Sequence, residues 1–179
     1  FNTATSFNQP LDNWDTSNVT NMTAMFNTAT SFNHPIGNWD MSKVERTVQM
    51  FSSAASFNQP IGSWDLSSLT TANTMFYGAL AFDQDLGGWK LSDGVNLNIF
   101  PNASVGLSVV NYDNTLIGWF NSGVTGVSFQ AGKSNYCVAG PERAALVASR
   151  GWTIARNVKA CPPAQVTITA PTKLRNGPI

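Results

Sequence analysis

Charge is scarce in this chain. Only 11% of its 179 residues are Asp, Glu, Lys or Arg, and ten cations balance ten anions. An ordinary soluble domain carries about 25%. Phosphate binding needs a concentrated basic patch, so no nucleic-acid partner is expected. The same shortage argues against electrostatic docking on an anionic bilayer. No apolar run approaches the roughly 20 residues that span a membrane, so no direct insertion is expected either. Histidine occurs once, as His34, and cysteine twice, as Cys137 and Cys161. Polarity is carried instead by Asn, Ser, Thr and Gln.

What is present is a period. Phe7, Phe32, Phe57 and Phe82 are spaced 25 apart, and so are Trp14, Trp39, Trp64 and Trp89. Between them run FNQPLDNW, FNHPIGNW, FNQPIGSW and FDQDLGGW. Val19, Val44 and Leu69 recur in the same register, as do Met25-Phe26, Met50-Phe51 and Met75-Phe76, and Ala29, Ala54 and Ala79. The opening FNTATS copies the end of a unit, which leads us to expect a further unit upstream. No signal-peptide pattern opens the chain, which begins inside a unit.

Each unit reads as two halves. Val19, Met22, Met25 and Phe26 fall at helical spacing, one face of about two turns. Ser17, Ser42 and Ser67 stand where an N-cap belongs, and Ser42-Lys43-Val44-Glu45 has the form of a capping box. The half from Phe to Trp carries Pro10 and turn-prone pairs such as Asp12-Asn13 and Gly37-Asn38, so it suits a short extended segment. One such segment and one short helix cannot bury an apolar face alone, whereas stacked copies can. The expectation is an α/β repeat solenoid of leucine-rich-repeat-like units, short strand plus short helix, over residues 1–104. Asn8, Asn33 and Asn58 would bond along its length.

The string FNQPLDNWDTSNVTNM resembles the repeat of a large family of bacterial surface proteins related to the BspA-like leucine-rich repeats, whose repeat domain has no assigned activity. Residues Ser17 to Met22 and on to Phe26 match one half of the BspA-type unit, with Ala29 at its Cys position and Phe32 at its Leu position. The resemblance covers residues 1–104. It weakens in the fourth unit, where Asp85 replaces Pro, Lys90 replaces Asp and Gly94 interrupts the expected helix.

From Ser104 the period is gone. A helix is expected within Asn111–Asn121, ended by Gly123, then a strand over Gly126–Gln130. A second helix should start at Pro141 and end near Gly151, and Trp152–Ile154 should return as a strand. This segment, 105–161, would cap the array, and it is similar to the closing module of the same surface-protein family. Cys137 and Cys161 bracket one strand–helix–strand unit and read as a disulfide; two free thiols or a metal site are the rival readings. A disulfide implies an oxidising compartment, hence a secreted or cell-surface protein. Residues 162–179, with Val166–Thr169 and a Pro/Gly-containing tail, read as a linker or the start of a further domain.

Candidate chemistry is thin. Asp15, Asp40 and Asp65 form a carboxylate row that either holds turns or binds calcium. His34 takes a position that Gln fills in the sibling units, which suits a hydrogen-bonding surface residue better than a base. Three Asn-x-Ser/Thr sequons start at Asn18, Asn21 and Asn102. No catalytic residue, cofactor or metal is assigned, and the chain is read as non-enzymatic. The expected function is adhesion or ligand binding at a cell surface, to a glycan or a protein, through Gln9, Asp12, Asn13, His34, Asn38, Gln59 and Ser63. The alternatives are a structural spacer or a self-associating surface scaffold, and a part of an enzyme whose catalytic domain lies elsewhere.

Overall fold

A computed structural model describes residues 1–102, 104–155 and 158–161. The expected linker, 162–179, lies outside the described residues. Seven elements lie among the described residues: β1 (Asp65–Leu66), β2 (Lys90–Leu91), β3 (Asn96–Phe100), α1 (Val109–Ser122), β4 (Ser128–Ala131), α2 (Gly140–Arg150) and β5 (Thr153–Ala155). They form two small parallel sheets, β1-β2 and β3-β4-β5.

This architecture corrects the expected fold. It is not an α/β repeat solenoid of leucine-rich-repeat-like units: both helices among the described residues lie beyond residue 108, and the sheets have two and three strands. The physical reason lies in the main chain after each Ser. Met25, Asn27, Ala29 and Phe32 close three-residue turns onto the carbonyls of Met22, Ala24, Phe26 and Ala29. Ala24, Thr28, Gln49, Ser53 and Thr74 hold φ between 54° and 58°, the left-handed region that stops a right-handed helix. With this alternation, the N–H groups of Met22, Ala24, Phe26 and Thr28 point sideways. They donate to the carbonyls of Arg46, Val48, Met50 and Ser52. A helix would turn those donors along its own axis and leave nothing to join one segment to the next. Apolar residues three and four apart serve such turns as well as they serve a helix.

The expected N-caps are reversed in role. An N-cap Ser accepts through its oxygen. Here Ser17, Ser42 and Ser67 donate, each giving its main-chain N–H and its hydroxyl to the Oδ1 of Asp15, Asp40 and Asp65. Glu45 closes no capping box; its N–H donates to the Thr20 carbonyl.

Sideways bonding sets the register. Parallel pairings run Asn21 to Arg46 to Thr71 to Asn96, and Asn96 is the first residue of β3. The line continues through Ser128 of β4 to Thr153 of β5. Between these segments lies the core. Phe26, Phe51, Phe76 and Phe100 stack at centroid spacings of 5.5 to 5.7 Å. Phe7, Phe32, Phe57 and Phe82 form a second row at 5.8 to 6.0 Å. The rows touch within each segment at 3.9 to 4.0 Å. Such ring pairs add about 0.5–1.5 kcal/mol each beyond area burial.

The tryptophans tie the register down. Trp39, Trp64 and Trp89 are buried, and each donates its indole N–H to a carbonyl 28 residues earlier, that of Leu11, Ile36 or Ile61. Trp119 on α1 donates to Leu86 and Trp152 to Val124 in the same way. Trp14 departs from this pattern, being 49% exposed. Helix α1 reaches Leu86 because position 118 is glycine: a Cβ there would fall on the Gly87 main chain.

Removing one indole empties a large buried site and takes away the bond between two segments. Trp64→Ala should cost about 3–5 kcal/mol in urea unfolding. A cost under about 1 kcal/mol would show that the residue does not hold the register.

Candidate binding face

Six of the seven residues singled out from the sequence fall into two adjacent rows, and Asp12 precedes Asn13 in the chain. One row runs Gln9, His34, Gln59 and Gln84; the other runs Asn13, Asn38 and Ser63. The main chain between them holds the buried side chains of Leu11, Ile36, Ile61 and Leu86. Neighbouring positions are aligned by asparagine side chains. Asn8 Oδ1 accepts the N–H of Asn33, Asn33 Oδ1 that of Asn58, and Asn58 Oδ1 that of Asp83, at 2.9 to 3.0 Å. Asp83 then accepts from Ser108, the N-cap of α1. The row thus passes from asparagine to aspartate and ends on the helix.

Not every member of the face is free to recognise something. Gln59 Nε2 donates to the Asn33 carbonyl and side chain, Asn38 Nδ2 to the Asp12 carbonyl, and Ser63 Oγ to the Gly37 carbonyl. These three side chains hold one segment to the one before it. Gln9, Asp12 and Asn13 are exposed and His34 is half-buried. None of these four makes a side-chain hydrogen bond among the described residues. His34 marks a break in the row, because an imidazole cannot reproduce the two-donor amide with which Gln59 and Gln84 clamp their neighbours.

The carboxylate row does the work of turns. Each Asp holds the N–H and hydroxyl of the Ser two residues on. Lys90, the fourth member, donates to Asp65 at 3.0 Å. The pKa values of Asp15 and Asp40 lie below the ordinary carboxylate range, chiefly through the hydroxyl of Ser17 or Ser42 and then its N–H. Asp65 is lowered by the Ser67 hydroxyl and next by Lys90. No group of three or more His, Cys, Asp or Glu among the described residues is arranged to hold a metal ion.

Cys137 and Cys161 are joined in a disulfide, which closes the strand-like pairing of Tyr136 with Lys159. Sequence reasoning missed its anchor, Asp113. This buried carboxylate on α1 receives the main-chain N–H groups of Cys137, Val138 and Ala139, all at 3.0 to 3.1 Å. No local pattern marks it, since its partners lie 24 to 26 residues later. A signal did exist for the later tryptophans: Gly-Trp recurs at 88–89, 118–119 and 151–152. An open polar cleft also went unforeseen, lined by Gly87, Lys90, Asp93, Ser122 and Gly123. Asp93 forms part of its wall and is held by the Thr125 N–H and hydroxyl, which lower its pKa.

The lowered aspartates give a pH dependence with a definite sign. Carboxylates depressed in the folded state stabilise it fully above the unfolded value of about 3.9, and that contribution is lost as pH falls through the folded values. The melting temperature should hold between about pH 7 and 5 and drop below about pH 4. Replacing Asp15, Asp40 and Asp65 together by Asn should lower it at neutral pH and flatten the acid limb. An unchanged acid limb would separate these Asp–Ser turns from acid stability.

The family described as Mycoplasma protein of unknown function, DUF285, matches residues 1–107, more than half of the chain. No curated protein and no solved structure matches it. The matched stretch holds the Phe rows, the Asn row and three of the buried indoles, and it stops one residue before the Ser108 cap of α1. The chain belongs to the DUF285 family.

Proposed function

We propose that this chain is a non-enzymatic binding domain displayed outside the cell, acting in adhesion to a glycan or a protein. One observation carries the proposal. Gln9, Asp12, Asn13 and His34 stand along one face with side chains that the fold does not use, while Asn38, Gln59 and Ser63, farther along at the positions of Asn13 and Gln9, are spent on inter-segment bonds. Amide, carboxylate and imidazole groups held by a fixed main chain suit a polar ligand with many hydrogen-bonding groups. The disulfide supports an oxidising location, secreted or at the cell surface. The likeness of Ser17 to Phe26 to the BspA-type unit supports kinship with bacterial surface proteins. A second reading, a spacer or self-associating scaffold, is favoured by the internal use of Asn38, Gln59 and Ser63.

A glycan array and a panel of immobilised extracellular-matrix proteins, probed with the intact chain, test the proposal. Binding should be nearly insensitive to salt, because the face carries little charge. Replacing Gln9, Asn13 and His34 together by Ala should weaken it about tenfold or more with an unchanged melting temperature. Undiminished binding by that variant would move recognition elsewhere. No binding to any probe, with light scattering that grows with concentration, would leave the scaffold reading.

A further inference from the structure

Leu91 breaks a series of turns. The carbonyl of Thr16 accepts the N–H of Val19, that of Met41 the N–H of Val44, and that of Leu66 the N–H of Leu69. Leu91 comes next, but Gly94, at φ 72°, turns its N–H to the Thr125 carbonyl instead. The N–H of Leu91 is open as well. Lys90 gives its N–H to Trp64, on the β1 side, and successive strand residues point their main-chain groups to opposite sides, so those of Leu91 face away from β1. Among the described residues β2 pairs only with β1. Leu91 is half-buried, and neither its N–H nor its carbonyl has a hydrogen-bond partner there. Main-chain groups withdrawn from water call for one.

Helix α1 is the reason this edge stays uncovered. The chain is tied back to the segment of Leu91 at two points, by Trp119 to the Leu86 carbonyl and by Thr125 to Asp93 and Gly94. Between the ties it runs as the last turn of α1 and the left-handed Gly123, which do not pair with β2. The open polar cleft of about 430 Å³ lies here, bordered by Lys90, Leu91, Asp93, Ser122 and Gly123. Small-ligand sites span roughly 300–1,000 Å³, and the two ties close this one to a chain running through. The Trp89 ring is buried and offers no platform for a sugar. Two opposite charges stand in the cleft. Lys90 spends one of its three donors on Asp65. Asp93 spends Oδ1 on Thr125 and keeps Oδ2 open. Lys90 precedes the Leu91 N–H along the chain, and Asp93 follows its carbonyl.

We propose that this cleft binds a free α-amino acid as its zwitterion. The ligand carboxylate accepts from the Leu91 N–H and from Lys90 Nζ. Its ammonium donates to the Leu91 carbonyl and to Asp93 Oδ2. A residue paired antiparallel with Leu91 uses the same two main-chain groups, and the two side chains add a charge-assisted bond at each end. The proposal is independent of the row containing His34.

The test is a titration of the isotope-labelled chain with glycine, L-leucine and L-glutamate, following the main-chain N–H resonance of Leu91. At least one of the three should shift that signal saturably, with a Kd on the order of 1 mM or below. The N-acetyl form of the tightest ligand lacks the ammonium and its amide lacks the carboxylate, so each should bind at least about tenfold more weakly. Lys90→Gln and Asp93→Asn should each weaken the unblocked ligand about tenfold. Asparagine keeps an oxygen for Thr125, and if its variant still melts lower, Lys90→Gln carries the comparison. No saturable shift up to about 20 mM of any of the three would overturn the proposal. So would equal binding of a blocked form, or binding by Lys90→Gln as tight as that of the parent.

Discussion

The structure hangs on a single polar contact made inside an apolar core: an indole N–H given to a main-chain carbonyl in the preceding segment. Burying a tryptophan removes a large apolar area from water, yet its N–H must find an acceptor there. Leu11, Ile36 and Ile61 supply theirs at 2.8 to 3.2 Å. Because acceptor and donor lie 28 residues apart, each bond sets where one segment sits against the last. A shift by one residue would break it, and would also part the Phe rows and the Asn row in register with it. Hydrophobic burial alone is non-directional and would not select that register.

The same contact explains how the C-terminal part can differ in secondary structure and still keep the register of the segments before it. Trp119 reaches the Leu86 carbonyl from a helix, and Trp152 reaches Val124 from the residue before β5. Ser108 takes the Asn-row position and caps α1, while Asn111 Nδ2 clamps Asp83 much as Gln84 clamps Asn58. The helix is seated by the bonds that seat the segments before it.

How much of this was legible follows from the physics of each element. The Phe, Trp and Asn periods were plain in the sequence because the same side chains recur where the same contacts recur. The helices of 109–122 and 140–150 announced themselves through Gly123 and Gly151, both in the left-handed conformation. The turns after Ser17, Ser42 and Ser67 did not. Their positive φ values fall on Ala24, Thr28, Gln49, Ser53 and Thr74, residues that carry no left-handed preference. They are held there by bonds to the next segment, so a short apolar run three and four apart reads as a helix. On the candidate face the bonding of the individual side chains was not legible. Only the structure separates Asn38, Gln59 and Ser63, used between segments, from Gln9, Asp12, Asn13 and His34.

Hydrogen exchange at the indole N–H groups addresses the central claim most directly. If the indole-to-carbonyl bond sets the register, the N–H groups of Trp39, Trp64, Trp89, Trp119 and Trp152 should exchange only through large-scale opening, with protection close to that of global unfolding. Trp14 should exchange at nearly the rate of a free indole. Rapid exchange at Trp39, Trp64 and Trp89 in the folded chain would contradict the account, because the segments would then be held in register by something else.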